Sequence, residues 1–97
     1  QQQLQLVQAR KRQIQLELAE VENALRELEK LGDDVPIYKS VGSLLIRADK
    51  ASVVKELEDR REFLNLRLRS VEREEERAQQ QLEELEPRLR KALGARG

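Results

Sequence analysis

The chain has 97 residues, 39% of them charged, and a formal net charge of zero; that length allows one domain. With aromatic residues at only 2%, Tyr38 and Phe63, an ordinary globular core is excluded. Balanced charge combined with periodic apolar residues also excludes the high-net-charge, apolar-poor composition of a disordered chain, and points to a charge-laced coiled coil.

The first predicted element is a helix from about Leu4 to Leu31. Leu4, Val7, Ile14, Leu18, Val21, Leu25 and Leu28 recur at alternating spacings of three and four, and only Lys11 breaks the stripe. Such spacing hides a narrow seam against another helix. Gly32 is the expected C-terminal stop, followed by a turn at Asp33–Asp34. Pro36 forbids further helix and pushes Val35 into an extended conformation.

Two β-prone runs come next, Ile37–Val41 and Leu44–Ala48, separated by Gly42–Ser43. This is a hairpin signal, and glycine at the first turn position suits a type II′ turn. The register sets Val41 opposite Leu44, Lys39 opposite Ile46 and Ile37 opposite Ala48. Ile37, Val41, Leu44, Ile46 and Ala48 then share one face, with Tyr38, Ser40, Leu45 and Arg47 on the other.

Asp49 is the expected N-cap of a second helix from about Lys50 to Leu93. Its stripe is Val54, Leu57, Leu64, Leu68, Val71, Ala78, Leu82, Leu85, Leu89 and Ala92, broken at Arg61 and Glu75. Pro87 lies inside this pattern, so a kink or a fraying end is expected there. Gly94 and Gly97 mark a loose terminus. The chain has no methionine and starts at Gln1, so a few further N-terminal residues are expected before it.

The short connection predicts that the helices fold back antiparallel. Pairing Leu28 with Val54 brings Leu25 to Leu57, Leu18 to Leu64, Ile14 to Leu68 and Leu4 to Ala78. Leu82, Leu85, Leu89 and Ala92 are then left without partners. Unfinished pairing explains this, and so does a contact surface for another molecule. Lys11 lies within about a turn of Glu75, and the two either pair and control register or snorkel outward. Arg61 is expected to snorkel. Leu16, Phe63 and Leu66 fall off the seam and read as scattered surface residues. An isolated two-stranded hairpin is marginal in water and leaves open edges, so the chain is expected to oligomerise through its β segment.

The order helix, Asp33-Asp34-Val35-Pro36-Ile37-Tyr38-Lys39-Ser40-Val41-Gly42, then Leu44-Leu45-Ile46 and Asp49-Lys50, resembles the beta class of archaeal prefoldin subunits over nearly the whole chain. The resemblance implies a mainly α fold with a small β element, a single domain spanning 1–97. It comprises an N-terminal coiled-coil helix (1–31), a β-hairpin (35–48) that joins an inter-subunit β-barrel, and a C-terminal coiled-coil helix (50–93). It further implies a hexamer of two α-class and four β-class subunits that holds unfolded polypeptides without ATP and passes them to a group II chaperonin in the cytoplasm. By position, Ile37, Tyr38, Val41, Leu44, Leu45 and Ile46 would make the oligomer interface. Leu4, Leu6, Val7, Leu82, Leu85, Leu89 and Leu93 would be the client-binding tip. Pro87 is not something that the family pattern requires. The competing expectation is a structural coiled-coil adaptor that assembles through its hairpin and binds no client.

Other chemistries find little support. The chain has neither histidine nor cysteine, so no nitrogen- or sulfur-ligated metal site and no histidine-assisted nucleophile is expected. Glu74–Glu75 reads as surface charge, and no phosphate-cradling pattern surrounds Gly42. No cofactor and no enzyme activity are expected. Arg67, Arg69, Arg73 and Arg77 interleave with Glu72, Glu74, Glu75 and Glu76, which argues against nucleic acid as a partner. No apolar run of about 18 residues reads as a membrane span, and no segment reads as a signal peptide. The lack of cysteine fits a reducing compartment.

Overall fold

The computed structural model describes residues 2–94; the expectations placed on Gln1 and Gly97 lie outside them. The order of elements is helix α1 (Gln2–Glu29), strand β1 (Ile37–Val41), strand β2 (Leu44–Ala48) and helix α2 (Lys50–Gly94). The chain divides into two compact units. One, Leu16–Leu66, contains the β-hairpin; the other joins the described residues up to Gln15 to those from Arg67 onward.

In the hairpin unit, β1 and β2 pair antiparallel with Ile37 opposite Ala48, Lys39 opposite Ile46 and Val41 opposite Leu44, as the alternation predicts. Gly42 sits at φ +60°, and no other described residue has positive φ. Positive φ at the first turn position alone is the II′ pattern, because a type I′ turn would need it at Ser43 as well.

The helix boundaries on either side have separate causes. Asp49 caps α2: the Ser52 amide donates to Asp49 Oδ2 at 3.2 Å and the Val53 amide to the Asp49 carbonyl at 3.0 Å. Such a cap is worth about 1 kcal/mol. The end of α1 departs from expectation. The helix stops at Glu29 rather than Leu31, and Gly32 does not adopt the left-handed conformation of a glycine C-cap. Instead the Leu31 amide donates to the Leu28 carbonyl at 3.1 Å in a tightened last turn. The Lys50 ammonium then donates to the Leu31 carbonyl at 2.6 Å and lies 3.4 Å from the Asp33 carboxylate. A cation held on the turn just beyond the helix end satisfies a loop carbonyl and suits the negative end of the helix dipole. Farther from the turn, Arg60 pairs with Glu17 at 2.9 Å, so falling numbers on α1 meet rising numbers on α2.

The terminal unit repeats this antiparallel relation. Lys11 pairs with Glu75 at 2.9 Å and Arg10 with Glu74 at 3.3 Å. Val7 shares a groove with Ala78, and Leu4 shares one with Ala78, Leu82 and Leu85. In heptad lettering, Leu4, Lys11, Glu75 and Leu82 take position a, while Val7, Ile14, Val71, Ala78 and Leu85 take position d. Both charge pairs Arg10–Glu74 and Glu17–Arg60 join g to g, the flanking relation expected of antiparallel helices.

The expected neighbourhood of Leu4 and Ala78 is kept, and Leu82, expected to be unmatched, lines the same groove. Lys11 and Glu75, which the expected register sets within about a turn of each other, meet as an ion pair. Both are half-buried, and a charged seam residue is best tolerated with the opposite charge beside it.

The core follows the two stripes. Val7, Ile14, Leu18, Val21, Leu28, Leu64, Val71 and Ala78 are buried. Arg61 is half-buried among Leu25, Val54 and Glu58 with no ion-pair partner among the described residues, as a snorkelling side chain should be. Leu16, Phe63 and Leu66 are exposed, and the Arg60 guanidinium stacks 5.4 Å from the Phe63 ring centre.

Candidate binding surfaces

The first surface is the β-hairpin. Tyr38, Val41, Leu44, Leu45 and Ile46 are all exposed, Leu45 by as much as 74%, and only Ile37 at the root is half-buried. The exposed residues occupy both faces: Val41, Leu44 and Ile46 on one, Tyr38 and Leu45 on the other. The sheet has two strands, so each strand pairs on one side and leaves the other edge open. Lys39 interrupts the first face, and its ammonium is drawn to Glu56 of α2 at 2.7 Å. The hairpin does not fold its apolar residues away onto the helices of its own unit. Fully burying a leucine or valine is worth roughly 1.5–3 kcal/mol, so this cluster is a strong drive toward association.

The second surface lies in the terminal unit, and there the predicted tip residues separate. Val7 is only 2% exposed. It belongs to the seam, because position d turns it toward Ala78, and it is withdrawn from the contact surface. Leu4 and Leu82 are half-buried and share a groove. Leu6 is exposed at 65% but sits off the seam, at heptad position c of α1. Leu85, Leu89 and Leu93 are exposed on α2 at 49, 53 and 67%. The open stripe therefore begins at Leu85, a turn later than the sequence pairing implies. Helix α2 continues through Pro87 to Gly94, so these leucines stand on helical backbone.

The Lys11–Glu75 pair has a marked electrostatic signature. The hydrogen bond from Lys11 holds the Glu75 carboxyl below its ordinary range against the opposing pull of partial burial. The same bond raises the Lys11 ammonium above its own ordinary value. Among the contacts that the sequence reading does not name, three stand out: Lys50 at the end of α1, Lys39 on Glu56 and Arg60 over Phe63. The first two depend on the path of the loop and hairpin, which periodicity does not carry. The third was within reach, since three residues of spacing places Arg60 and Phe63 on one helical face. Among the described residues no group of three or more acidic, histidine or cysteine side chains could hold a metal ion, and no helix is long and apolar enough to cross a membrane.

Two seam-bearing helices flanking an exposed β-hairpin define a coiled-coil subunit of the kind that carries its sheet-forming element between its helices. The family model described as prefoldin subunit matches residues 1–96. The prefoldin beta subunit of Methanothrix thermoacetophila is 47% identical over 94 residues, covering 97% of this chain and 78% of that protein. That of Thermococcus onnurineus is 44% identical over 93 residues, covering 96% of this chain and 80% of the relative. The crystal structure of the prefoldin beta subunit from Thermococcus strain KS-1 superposes with a TM-score of 0.89 at 44% identity, over 96% of this chain and 82% of that one. The prefoldin beta2 subunit from the same strain matches with a TM-score of 0.77 at 20% identity, over 87% of this chain and 89% of that one, and speaks to the fold alone. The chain belongs to the prefoldin subunit family, and its likeness within that family is to beta subunits.

Proposed function

We propose that this chain is a subunit of an ATP-independent holdase that captures unfolded polypeptides at the end of α2 and delivers them to a group II chaperonin. The observation that carries the reading is the exposed run Leu85, Leu89 and Leu93 on a helix whose preceding seam residues are buried or half-buried. Exposed leucines at helical spacing form a surface suited to foreign apolar segments. The exposed hairpin residues, Ile37 excepted, support assembly with further copies of the chain and with an alpha-class prefoldin subunit, in a hexamer of four beta-class and two alpha-class chains. Several such ends on one assembly would raise weak contacts to useful avidity through effective concentration. Nothing in this role calls for a catalytic group or a cofactor, and the work belongs to the cytoplasm, where newly made chains are exposed.

The test is suppression of aggregation. The assembled complex should slow light scattering by an unrelated denatured protein without nucleotide. Replacing Leu85, Leu89 and Leu93 together by serine should remove most of that effect while leaving the complex assembled. Full protection by the triple variant would place the client site elsewhere. No protection by either protein would favour the structural adaptor.

A further inference from the structure

The hairpin turns into α2 at a corner, and an ion pair spans that corner. We propose that Lys39 and Glu56 form a brace that presets the angle between the hairpin and α2, and so positions the strand edges for a neighbouring subunit. This rests on the reading that the chain assembles through its hairpin. It gives a positioning role to Glu56, a residue of the helix rather than of the sheet.

The root of the corner is tied down on both sides. Asp49 alone separates Ala48 of β2 from Lys50 of α2, and its carboxylate and carbonyl both accept from amides of the first helical turn. On the other side, the Lys50 ammonium donates to the Leu31 carbonyl at 2.6 Å and lies 3.4 Å from Asp33, which holds the incoming loop to the start of α2. Ile37 and Ala48, the root pair of the hairpin, are half-buried. Beyond the root, apolar packing stops. Val41, Leu44 and Ile46 share a face with Lys39, yet all three are exposed. Apolar contact with α2 therefore does not set the angle.

The geometry of the bridge is that of a brace. Lys39 stands opposite Ile46. From Asp49 back to Ile46 the strand runs about 10 Å, and from Asp49 up to Glu56 the helix rises about 10 Å. The Lys39 ammonium and the Glu56 carboxylate, 2.7 Å apart, thus join two arms of similar length. Swinging one arm by about 20° displaces its end by about 3.5 Å, which carries the pair past an ion-pair reach of roughly 4 Å unless both side chains change rotamer. The placement of the charge is a second ground. Lys39 interrupts an otherwise apolar face, and a lone ammonium there would oppose burial of that face against a neighbour. Glu56 answers the charge from within the chain, before any neighbour arrives. Both side chains are exposed, and such a pair favours its closed arrangement by about threefold. Copies in one assembly multiply that bias, because each must present its hairpin at the competent angle; four copies give about eightyfold.

The chain has no cysteine, so nitroxide labels on Ser43→Cys in the turn and Glu62→Cys on α2 report a single distance by pulsed dipolar spectroscopy. The full chain should show one dominant distance. Glu56→Gln should spread the distribution without changing the helical circular dichroism, and the reversed pair Lys39→Glu/Glu56→Lys should restore it. Mixed with an alpha-class prefoldin subunit, unlabelled Glu56→Gln should have an assembly constant about eightyfold below that of the parent chain, and the reversed pair should recover most of the loss. Sodium chloride at about 1 M should bring the parent and Glu56→Gln together, because an exposed pair is screened. An unchanged distance distribution in Glu56→Gln overturns the brace. So does a loss of assembly in Glu56→Gln that the reversed pair fails to restore, which would make Lys39 a direct contact of the neighbouring strand. Either result, with the parent chain still assembling, leaves assembly through the hairpin standing. A parent chain that does not assemble, with distances that respond as expected, overturns the assembly reading while the brace stands.

Discussion

Lys11 and Glu75 are the two seam residues that break the apolar stripes and still meet, at 2.9 Å, and an opposite-charge pair in a seam is a means of fixing register. Reversing Lys11 to glutamate or Glu75 to lysine should each lower the melting temperature. Reversing both should recover most of the loss, because the ion pair re-forms with its ends exchanged. Additive losses in that double-mutant cycle would remove the pairing from the account of register. The pair also makes a prediction in pH. Glu75 has a carboxyl pKa that folding lowers, so its contribution is fully present above the ordinary carboxylate range and is lost as pH falls through the depressed value. Lys11 has its pKa raised, so its contribution persists below the ordinary lysine range and fades only as pH climbs through the elevated value. Acid titration of Glu75→Gln should therefore show a shallower fall in stability below the carboxylate range than the parent protein. Parallel curves would mean that the carboxylate is not coupled to folding.

Among the elements, the hairpin depends most on a single backbone position. Gly42 at φ +60° has nothing within 4 Å of where a Cβ would stand, so an added methyl meets no neighbour and the cost is conformational alone. Gly42→Ala should cost about 1 kcal/mol, read as a lower dissociation midpoint of the assembled complex, with α1 and α2 keeping their helical circular dichroism. An unchanged midpoint would show that the turn relaxes freely. The hairpin was also the element most completely legible beforehand: β-branched alternation, the Gly-Ser dipeptide and the paired residues all follow from local chemistry. The end of α1 was not. Gly32 looked like the stop, yet the capping cation comes from Lys50, eighteen positions on, and such a contact leaves no mark in periodicity. Pro87 was read as a kink or a fraying end; α2 continues past it to Gly94, so the helix does not end there.

At the scale of the whole molecule, the stripes and the exposed hairpin were legible as a protein that needs others, and the family likeness bears out the class. Two details of the terminal unit were not: Val7, placed at the tip by the resemblance, is buried in the seam, and Leu82, left unmatched, shares a groove with Leu4. Assembly is the testable expectation here. Native mass spectrometry of this chain mixed with an alpha-class prefoldin subunit should give a hexamer containing four copies of this chain. Alone, the chain should assemble incompletely, since its open strand edges need the partner's strands. A simple dimer in both samples would leave the exposed hairpin residues without a role.

On the proposed holdase role, the charged layer would also bear on traffic between guest and host, because a guest could displace α1 and claim its place along α2. An intruder with an ordinary apolar stripe would bring a leucine beside Glu75 and take Lys11 away from a half-buried carboxylate. The layer would thereby work against the unzipping of the host by its guest.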